Sequence, residues 1–243
     1  MTISLCLLIW NELEGCKLDV PLLPREEFEE VYAIDGGSTD GTVAYLEGEA
    51  IPVYRQPAKG LNAAYRYAVE KSRCEAVVVF FPKGTIPPLE MAKFRPLLEM
   101  GKQLIVASRN IKGARNEEDV GWFRPRKTCV TALAWLIALL WRREGYVIRD
   151  VLHGVKAFTV EAFKQMNPSN TGHTIDLELA VRAYRLRLER AEFPTTEMGR
   201  PHGHTHFKVL PVGRELLMFI WHELWRSEGR IRGRAKNPRY RLF

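Results

Sequence analysis

Residues 31–42 constrain the fold more than any other part of this 243-residue chain. A run of apolar and β-branched residues predicts a buried strand, and Asp35 stands where that strand ends. Gly36 and Gly37 allow a sharp turn and a close approach of a ligand to the backbone. The Ser-Thr pair that follows offers N-caps for a short helix beginning near Asp40. A strand, a glycine turn and a helix in this order are typical of a nucleotide-binding edge.

Strand and helix patterns alternate along the first half of the chain. We predict strands at residues 3–9, 30–34, 51–55, 76–81 and 103–107, and helices at residues 39–46, 61–72 and 87–100. Beyond residue 108 the pattern weakens to helices at 128–143 and 175–186, a strand or turn at 155–159 and a strand at 189–193. This alternation indicates an α/β fold with a mostly parallel central sheet flanked by helices. The length suits one domain with a single core.

The net charge of +7 is divided unevenly along the chain. Residues 1–60 hold four Lys/Arg and eleven Asp/Glu, a net charge of −7, whereas the remaining 32 basic and 18 acidic residues give +14. The positive part therefore suits an anionic partner, such as a substrate phosphate or a membrane face. Nucleic acid is a poorer candidate, because the basic residues form neither an aromatic stacking platform nor a recognised binding motif.

No segment reaches the roughly 20 apolar residues that cross a bilayer. The longest apolar run, residues 129–141, is either a buried helix or a helix in the membrane interface, with Trp135 and Trp141 at the headgroup level. Residues 210–225 form a second amphipathic candidate that suits either packing or a membrane surface. The basic tail at 226–243 is either simply solvated or functional.

Two short motifs mark the ends of the first two predicted strands. Trp10-Asn11-Glu12 follows the first apolar run, and Asp35-Gly-Gly-Ser-Thr-Asp-Gly-Thr42 follows the second. Together they resemble the start of family 2 glycosyltransferases, whose usual forms are Tyr-Asn-Glu and Val-Asp-Asp-Gly-Ser-Thr-Asp-Gly-Thr. In this chain Gly36 stands in place of the second Asp of that pair.

The likeness continues in order over residues 3–208. The segments that carry it are Lys59-Gly60-Leu-Asn-Ala-Ala64, Ser108-Arg109, Arg126-Lys127, Arg149-Asp150-Val151, Gly154-Val-Lys-Ala-Phe158 and Asp176-Leu-Glu178. The ordered set resembles the polyprenyl-phosphate sugar transferases of the dolichol-phosphate mannose synthase type, which have a GT-A fold. The resemblance implies a GT-A domain at 1–208, with a nucleotide-sugar half at 1–107 and an acceptor half at 108–208. An amphipathic helix and basic tail at 209–243 would follow.

The resemblance also assigns roles to individual residues. It places contacts to the nucleotide-sugar on Asn11, Glu12, Asp35, Gly37, Lys59 and Gly60. Asp35 has a physical argument of its own, because a carboxylate at the carboxyl end of a parallel strand can accept hydrogen bonds from a ribose or a base. The alternative is that Asp35 only caps the following turn.

Two arginines stand where the resembling enzymes receive the phosphate of the acceptor. They are Arg109 and Arg126, and the forked donors of a guanidinium suit a phosphate. The alternative is a solvated surface position, which is common for arginines of α/β proteins.

One departure from the family concerns the metal. The resembling enzymes usually carry Asp-x-Asp after the fourth strand to hold a divalent cation on the donor diphosphate, whereas this chain has Phe81-Pro82-Lys83. Two oxygen ligands for magnesium or manganese are missing there, so no metal site and no metal cofactor are expected. We predict that the Lys83 ammonium, with Arg200 or Lys208, neutralises the leaving diphosphate. The alternative is a site that has lost its activity.

Residues 194–208 are rich in glycine, histidine and basic residues. The resemblance suggests a flexible loop that closes over the diphosphate, with Arg200, His202 and Lys208 as anion contacts. The alternation of His202, His204 and His206 would also suit a metal site. That interpretation is the weaker one, because no carboxylate or cysteine partner lies at ligand spacing nearby.

The resemblance implies displacement at the anomeric carbon of the sugar by a phosphate oxygen of a lipid. A phosphate monoester has a second pKa of about 6, so it is already largely ionised at neutral pH and needs no strong base. A hydroxyl acceptor would need a base, for which Asp150, Asp176 and Glu178 are the candidates. Asp176 and Glu178 do not share a helix face, so at most one would point into the site while the other caps or pairs at the surface.

These features together predict a family 2 hexosyltransferase that uses a GDP-, UDP- or dTDP-sugar and a polyprenyl-phosphate-type acceptor. Its predicted catalytic residues are Lys83, Arg109, Arg126 and Asp176. The expected location is the cytoplasmic face of a membrane, to which the chain would bind peripherally. Two alternatives stay open: transfer to a hydroxyl acceptor, and a catalytically silent sugar-nucleotide binding protein.

Overall fold

The protein is described by a computed structural model that covers residues 1–120, 125–202 and 209–225. Seven strands form one sheet: β1 (Ile3–Ile9), β2 (Glu30–Asp35), β3 (Val53–Arg55), β4 (Ala76–Phe80), β5 (Leu104–Ser108), β6 (Lys156–Thr159) and β7 (Arg190–Pro194). The α-helices of the described residues are α1 (Leu13–Asp19), α2 (Thr42–Gly48), α3 (Leu61–Lys71), α4 (Phe94–Glu99), α5 (Pro125–Trp141), α6 (Val160–Met166), α7 (Ile175–Arg185) and α8 (Val209–Leu224).

The strand order in the sheet is β3-β2-β1-β4-β6-β5-β7. Strands β3, β2, β1 and β4 are mutually parallel, β5 and β7 pair in parallel, and β6 runs antiparallel to both β4 and β5. The predicted α/β fold with a mostly parallel sheet is confirmed. Because β6 runs backwards, it begins at the edge where its neighbours end, and it brings Lys156 there opposite Val79.

Helices cover both faces of the sheet, so the strand interiors are apolar on both sides. Strand β1 is buried along its whole length, from Ile3 to Ile9. One core cluster lies under α3, α5, α6, α7 and α8, and the other lies under α1 and α4. The two clusters lie on opposite faces of the same sheet.

Local chemistry moves some of the predicted boundaries. Helix α2 begins at Thr42, not near residue 39, because Gly41 has a φ of 94° and the carboxylate of Asp40 accepts a hydrogen bond from the Thr42 amide at 3.0 Å. The hydroxyl of Ser38 is not an N-cap but accepts from the Asn11 amide at 2.8 Å. The sequence patterns also missed two short helices, α1 and α6.

Helix α5 buries one face and exposes the other. Ile137 and Trp141 are buried in the core, whereas Trp135 is 56% exposed and Leu139 80% exposed. The interpretation of this segment as a core helix is therefore confirmed for one face. Placement of Trp141 at a lipid headgroup level is wrong, because its ring packs inside the protein. Within the described residues no helix has the length and apolarity to traverse a bilayer.

The turn after β4 is fitted tightly against α1. A Cβ added to Gly15 would lie 2.3 Å from the carbonyl oxygen of Pro82 and 2.8 Å from the Cα of Lys83. Both atoms belong to the backbone, so neither can move by changing a rotamer. Glycine at position 15 is thus what lets the residues that follow β4 lie directly on α1.

Replacing Gly15 with Ala should destabilise the protein by about 1–3 kcal/mol, because the backbone at Pro82 must shift to admit the methyl group. Gly213→Ala is the matched control, since nothing lies within 4 Å of its added Cβ and alanine favours the α8 helix. Urea unfolding of both variants measures the difference. Equal stabilities for the two variants would contradict the close contact.

Candidate functional site

Functional side chains gather where β1, β2, β4, β5 and β7 end and where β6 begins. In open α/β sheets this carboxyl edge is where ligands bind. The loops after β1 and β2 carry Asn11, Glu12 and Asp35, and the loop after β4 carries Lys83. The segment after β7, residues 195–202, returns to the same edge, where the amide of Met198 donates to the carbonyl oxygen of Thr85 at 2.8 Å.

The loops after β1 and β2 are bound to each other. Asn11, with a φ of 52°, accepts a hydrogen bond from the Thr39 amide at 2.8 Å. The buried carboxylate of Asp35 accepts from the amides of Gly37 and Ser38, each at 2.9 Å. The turn-capping role of Asp35 is therefore present, and its contact to a nucleotide stays a prediction. Gly37 has a φ of 103°, which only glycine adopts without strain.

Lys83 is a half-buried ammonium at the centre of this edge. Its Nζ lies 4.8 Å from the centre of the Phe81 ring. Burial lowers the pKa of Lys83, and Arg200 adds to that effect, whereas the negative charges of Glu12, Glu197 and Asp176 raise the pKa. Among the residues that the structure describes, no carboxylate lies within the 4.0 Å ion-pair distance of its Nζ.

Each of the three carboxylates near Lys83 is paired with its own cation, and none of these cations is Lys83. Glu12 is paired with Arg200, whose guanidinium reaches it from the segment after β7. Glu197 lies 2.9 Å from Nη1 of Arg109, and Asp176 lies 2.6 Å from Nζ of Lys156. Lys83 is therefore surrounded by negative charge that is engaged elsewhere, which leaves its ammonium available to an anionic ligand.

Arg109 follows β5 and is bound by two carboxylates. Its Nε and Nη2 donate to the two oxygens of Asp150 at 2.8 and 2.9 Å, and its Nη1 donates to Glu197 at 2.9 Å. Burial opposes ionisation of Asp150, but the Arg109 charge lowers the pKa of Asp150 to about 2. The predicted contact of Arg109 to an acceptor phosphate stays a prediction, and it would require Glu197 to move.

His153 is a buried neighbour of this ion-pair cluster. Burial lowers the pKa of His153 to about 4, and the positive charge of Arg109 adds to the effect. Its Nδ1 hydrogen-bonds to the carbonyl oxygen of Ala107. The imidazole is therefore neutral at physiological pH and supports the end of β5.

The two acidic residues near the start of α7 face different surroundings. Asp176 pairs with Lys156, which lies at the carboxyl edge of the sheet, and its role in the site stays a prediction. Glu178 does not lie at the surface as predicted. It is fully buried and accepts hydrogen bonds from Asn62 at 2.9 Å and Thr174 at 2.5 Å, because it joins α3 to α7 inside the protein.

Other predicted residues lie at the start of α3 or in the segment after β7. Lys59 is exposed, and Gly60, with a φ of 107°, brings the backbone close to Gly172. His202 is exposed and its carbonyl oxygen accepts from Nε of Arg200 at 2.7 Å. Arg126 lies in the first turn of α5, but its side chain and all of Lys208 fall outside the described residues.

The residues present do not suit a divalent metal at the position where the resembling enzymes carry Asp-x-Asp. Phe81 and Pro82 offer no side-chain oxygen, Lys83 brings a positive charge, and the carboxylates of Glu12, Glu197 and Asp176 are bound to arginine or lysine. Within residues 1–120, 125–202 and 209–225, no three His, Cys, Asp or Glu side chains are grouped closely enough to hold a metal ion. The described donor set thus favours an anion.

The strand order, together with the carboxyl edge where the candidate site lies, defines a GT-A type of α/β fold. Solved structures of Mycobacterium tuberculosis glucosyl-3-phosphoglycerate synthase share this fold. One matches with a TM-score of 0.68 and 20% identity over 93% of this chain and 82% of that chain. A complex of the same enzyme with Mn²⁺, UDP and glucosyl-3-phosphoglycerate matches with a TM-score of 0.65 and 20% identity over 92% of this chain and 80% of that chain.

Among curated proteins the chain is similar to glycosyltransferase AglJ of Haloferax volcanii. The two are 28% identical over 242 residues, which span 97% of this chain and 74% of the relative. No protein-family model matches the chain.

Three residues of the site were not singled out from sequence: Glu197, Lys156 and Asp19. Lys156 carried a signal, since a lysine between apolar residues of a predicted strand must find a buried partner. Asp19, at the end of α1, is 4% exposed and accepts hydrogen bonds from the backbone amides of Lys83 and Gly84. It thereby holds the turn that carries Lys83.

Asp19 should make stability depend on pH. Burial raises the pKa of Asp19 to about 6, although the two amides oppose the rise. Because the folded pKa lies above the unfolded value of about 3.9, the carboxyl contributes stability at low pH that is lost as the pH rises through about 6, on the order of 2 kcal/mol.

The Asp19→Asn variant should lack this part of the pH dependence. Urea unfolding between about pH 4 and pH 8 measures it as the difference between wild type and variant. Glu47→Gln, at an exposed position of α2, is the control. A difference that stays constant over the whole pH range would contradict the raised pKa.

Proposed function

We propose that the protein is a glycosyltransferase of the family 2 type, a hexosyltransferase that transfers a sugar from a nucleoside diphosphate to a polyprenyl-phosphate-type acceptor. The observation that carries the proposal is the ammonium of Lys83 at the carboxyl edge of a GT-A sheet, among three carboxylates that are bound to other cations. Similarity to a glycosyltransferase over nearly the whole chain supports it.

The chemistry explains why a fixed cation belongs at this position. An acceptor oxygen forms a bond to the anomeric carbon, the bond between that carbon and the diphosphate oxygen breaks, and the electron pair leaves with the nucleoside diphosphate. Negative charge therefore grows on the leaving group in the transition state. Lys83, with Arg200 at the same edge, supplies positive charge there. No step of this scheme uses a metal ion, whereas a structural neighbour was solved with Mn²⁺.

The state of the three candidate bases favours an acceptor that is already ionised. Asp150 is paired with Arg109, Asp176 with Lys156, and Glu178 with Arg182. A carboxylate that takes up a proton would lose its ion pair with a buried cation, and breaking such pairs costs about 3–5 kcal/mol. A phosphate monoester needs no base, which makes it the acceptor that suits these pairs.

Helix α5 supports an acceptor with an apolar part. A groove of about 420 Å³ along its first turns is lined by Lys127, Thr128, Thr131, Ala132 and Trp135. Its lining changes from polar to apolar along the helix, and Leu139 is exposed one turn beyond Trp135. Helix α8 exposes a second apolar row that includes Leu217 and Trp221. Both surfaces suit peripheral binding to a membrane, which we propose to be the cytoplasmic face.

A hydroxyl acceptor is the second candidate. Structural neighbours were solved with phosphoglyceric acid, and the Asp176 side chain, although paired, retains 11% exposure. A silent sugar-nucleotide binding protein is the third. It would bind a nucleotide-sugar without transferring the sugar to any acceptor.

Replacing Lys83 with Met should lower kcat/KM for transfer by at least about a hundredfold, because a charge that stabilises the leaving group is removed. Lys164→Met, at an exposed position of α6, should change the rate less than about twofold. A panel of UDP-, GDP- and dTDP-sugars with polyprenyl phosphate measures transfer, with and without EDTA. A rate abolished by EDTA, or equal small losses in both variants, would remove Lys83 from this role.

The acceptor class should be visible in a comparison of farnesyl phosphate with farnesol. Transfer should occur to the phosphate, and its rate should rise with pH through the second ionisation of that phosphate, near about pH 6, and then level off. The choice of acceptor and the pH dependence are both measured as radiolabelled product extracted into organic solvent. Faster transfer to farnesol would establish the hydroxyl acceptor, and nucleotide-sugar binding without any product would establish the silent protein.

A further inference from the structure

Lys156 is a lysine buried in the sheet at the start of β6. It is 1% exposed, and its Nζ lies 2.6 Å from Oδ1 of Asp176. Tyr65 is another polar neighbour of Asp176, and its own hydroxyl donates to the carbonyl oxygen of Gly154 at 2.6 Å. Removing an ammonium from water is costly, and an apolar residue would fill the same strand position at less expense. Its presence therefore points to a role beyond packing.

The Lys156–Asp176 pair and Lys83 share one edge of the sheet. Two residues before Lys156, Gly154 lies so close to the Phe81 ring that an added Cβ would be 2.6 Å from it. The ammonium of Lys83 lies over the same ring. Asp176 is near enough for its charge to raise the pKa of Lys83, yet it is bound to Lys156 instead.

A carboxylate free to move beside an unpaired ammonium would form an ion pair with it. If Asp176 did so, its charge would occupy the ammonium that a diphosphate needs. The other carboxylates near Lys83 are held by Arg109 and Arg200, and Arg200 comes from the segment after β7. Lys156 differs because it is fixed in a central strand, with β4 on one side and β5 on the other.

We propose that Lys156 is a positioning residue that binds Asp176 and so keeps Lys83 available to the diphosphate of the donor. The inference rests on the proposed function, in which Lys83 contacts that diphosphate. In this proposal Asp176 is held in an ion pair away from Lys83 and does not transfer a proton. It also explains why a second ammonium is buried beside a site that must attract an anion.

Isothermal titration of UDP, GDP and dTDP into the full chain tests the proposal. Lys156→Met should weaken binding of the preferred nucleoside diphosphate by about tenfold or more, because the released carboxylate competes for Lys83. Lys156→Arg, which keeps the ion pair, should bind nearly as wild type does. The double variant Lys156→Met/Asp176→Asn should recover most of the affinity, since it has no released carboxylate.

Recovery of affinity in the double variant would distinguish a role of Lys156 in binding Asp176 from a role in packing. If the lysine served only to support the strand, the double variant would bind as weakly as Lys156→Met, and that result would overturn the proposal. An unchanged affinity of Lys156→Met would also overturn it. Lys156→Gln replaces the Met variant if circular dichroism shows that the latter does not fold. A wild-type chain that binds none of the three nucleoside diphosphates would instead refute the proposed function itself.

Discussion

The proposed site depends on one electrostatic constraint: the half-buried ammonium of Lys83, which is proposed to bind an anion, is not neutralised by its own protein. Burial lowers the pKa of Lys83, and the carboxylates of Glu12, Glu197 and Asp176 oppose that effect. A direct ion pair with any of them would satisfy the charge but block the ligand. The structure meets both demands because each carboxylate is near Lys83 and bound to another cation.

Buried ion pairs stabilise folded proteins little, since the cost of desolvation offsets much of the attraction. In this protein the buried ion pairs matter because they fix where each charged side chain lies. Arg109 is held on both edges of its guanidinium, by Asp150 and by Glu197, which also fastens the segment after β7 to the sheet. The turn that carries Lys83 is held in place by hydrogen bonding to Asp19 and by its close contact with Gly15.

The motifs at strand ends could be recognised because they are local. Asn11, Glu12 and Asp35 each follow an apolar run, and the carboxyl ends of parallel strands meet at one edge wherever the fold is α/β. Lys83 stood out because it replaces an expected carboxylate. By contrast, the buried position of Glu178 and the N-terminus of α2 were predicted wrongly, because packing of α3 on α7 and the conformation of Gly41 decide them. Neither leaves a periodic signal in the sequence.

The sequence by itself determined the α/β class, the sheet edge where the candidate site residues gather and the presence of a lysine where the resembling enzymes usually carry a metal ligand. Those features follow from hydrophobic periodicity and from residues adjacent in the chain. Only the tertiary structure decided which charges are paired: Glu12 meets Arg200 across 188 positions, Arg109 meets Glu197 across 88, and Lys156 meets Asp176 from another element. Electrostatic interactions fall off with distance in space, whatever the separation along the chain, so the charge available to a ligand is fixed only when the chain is folded.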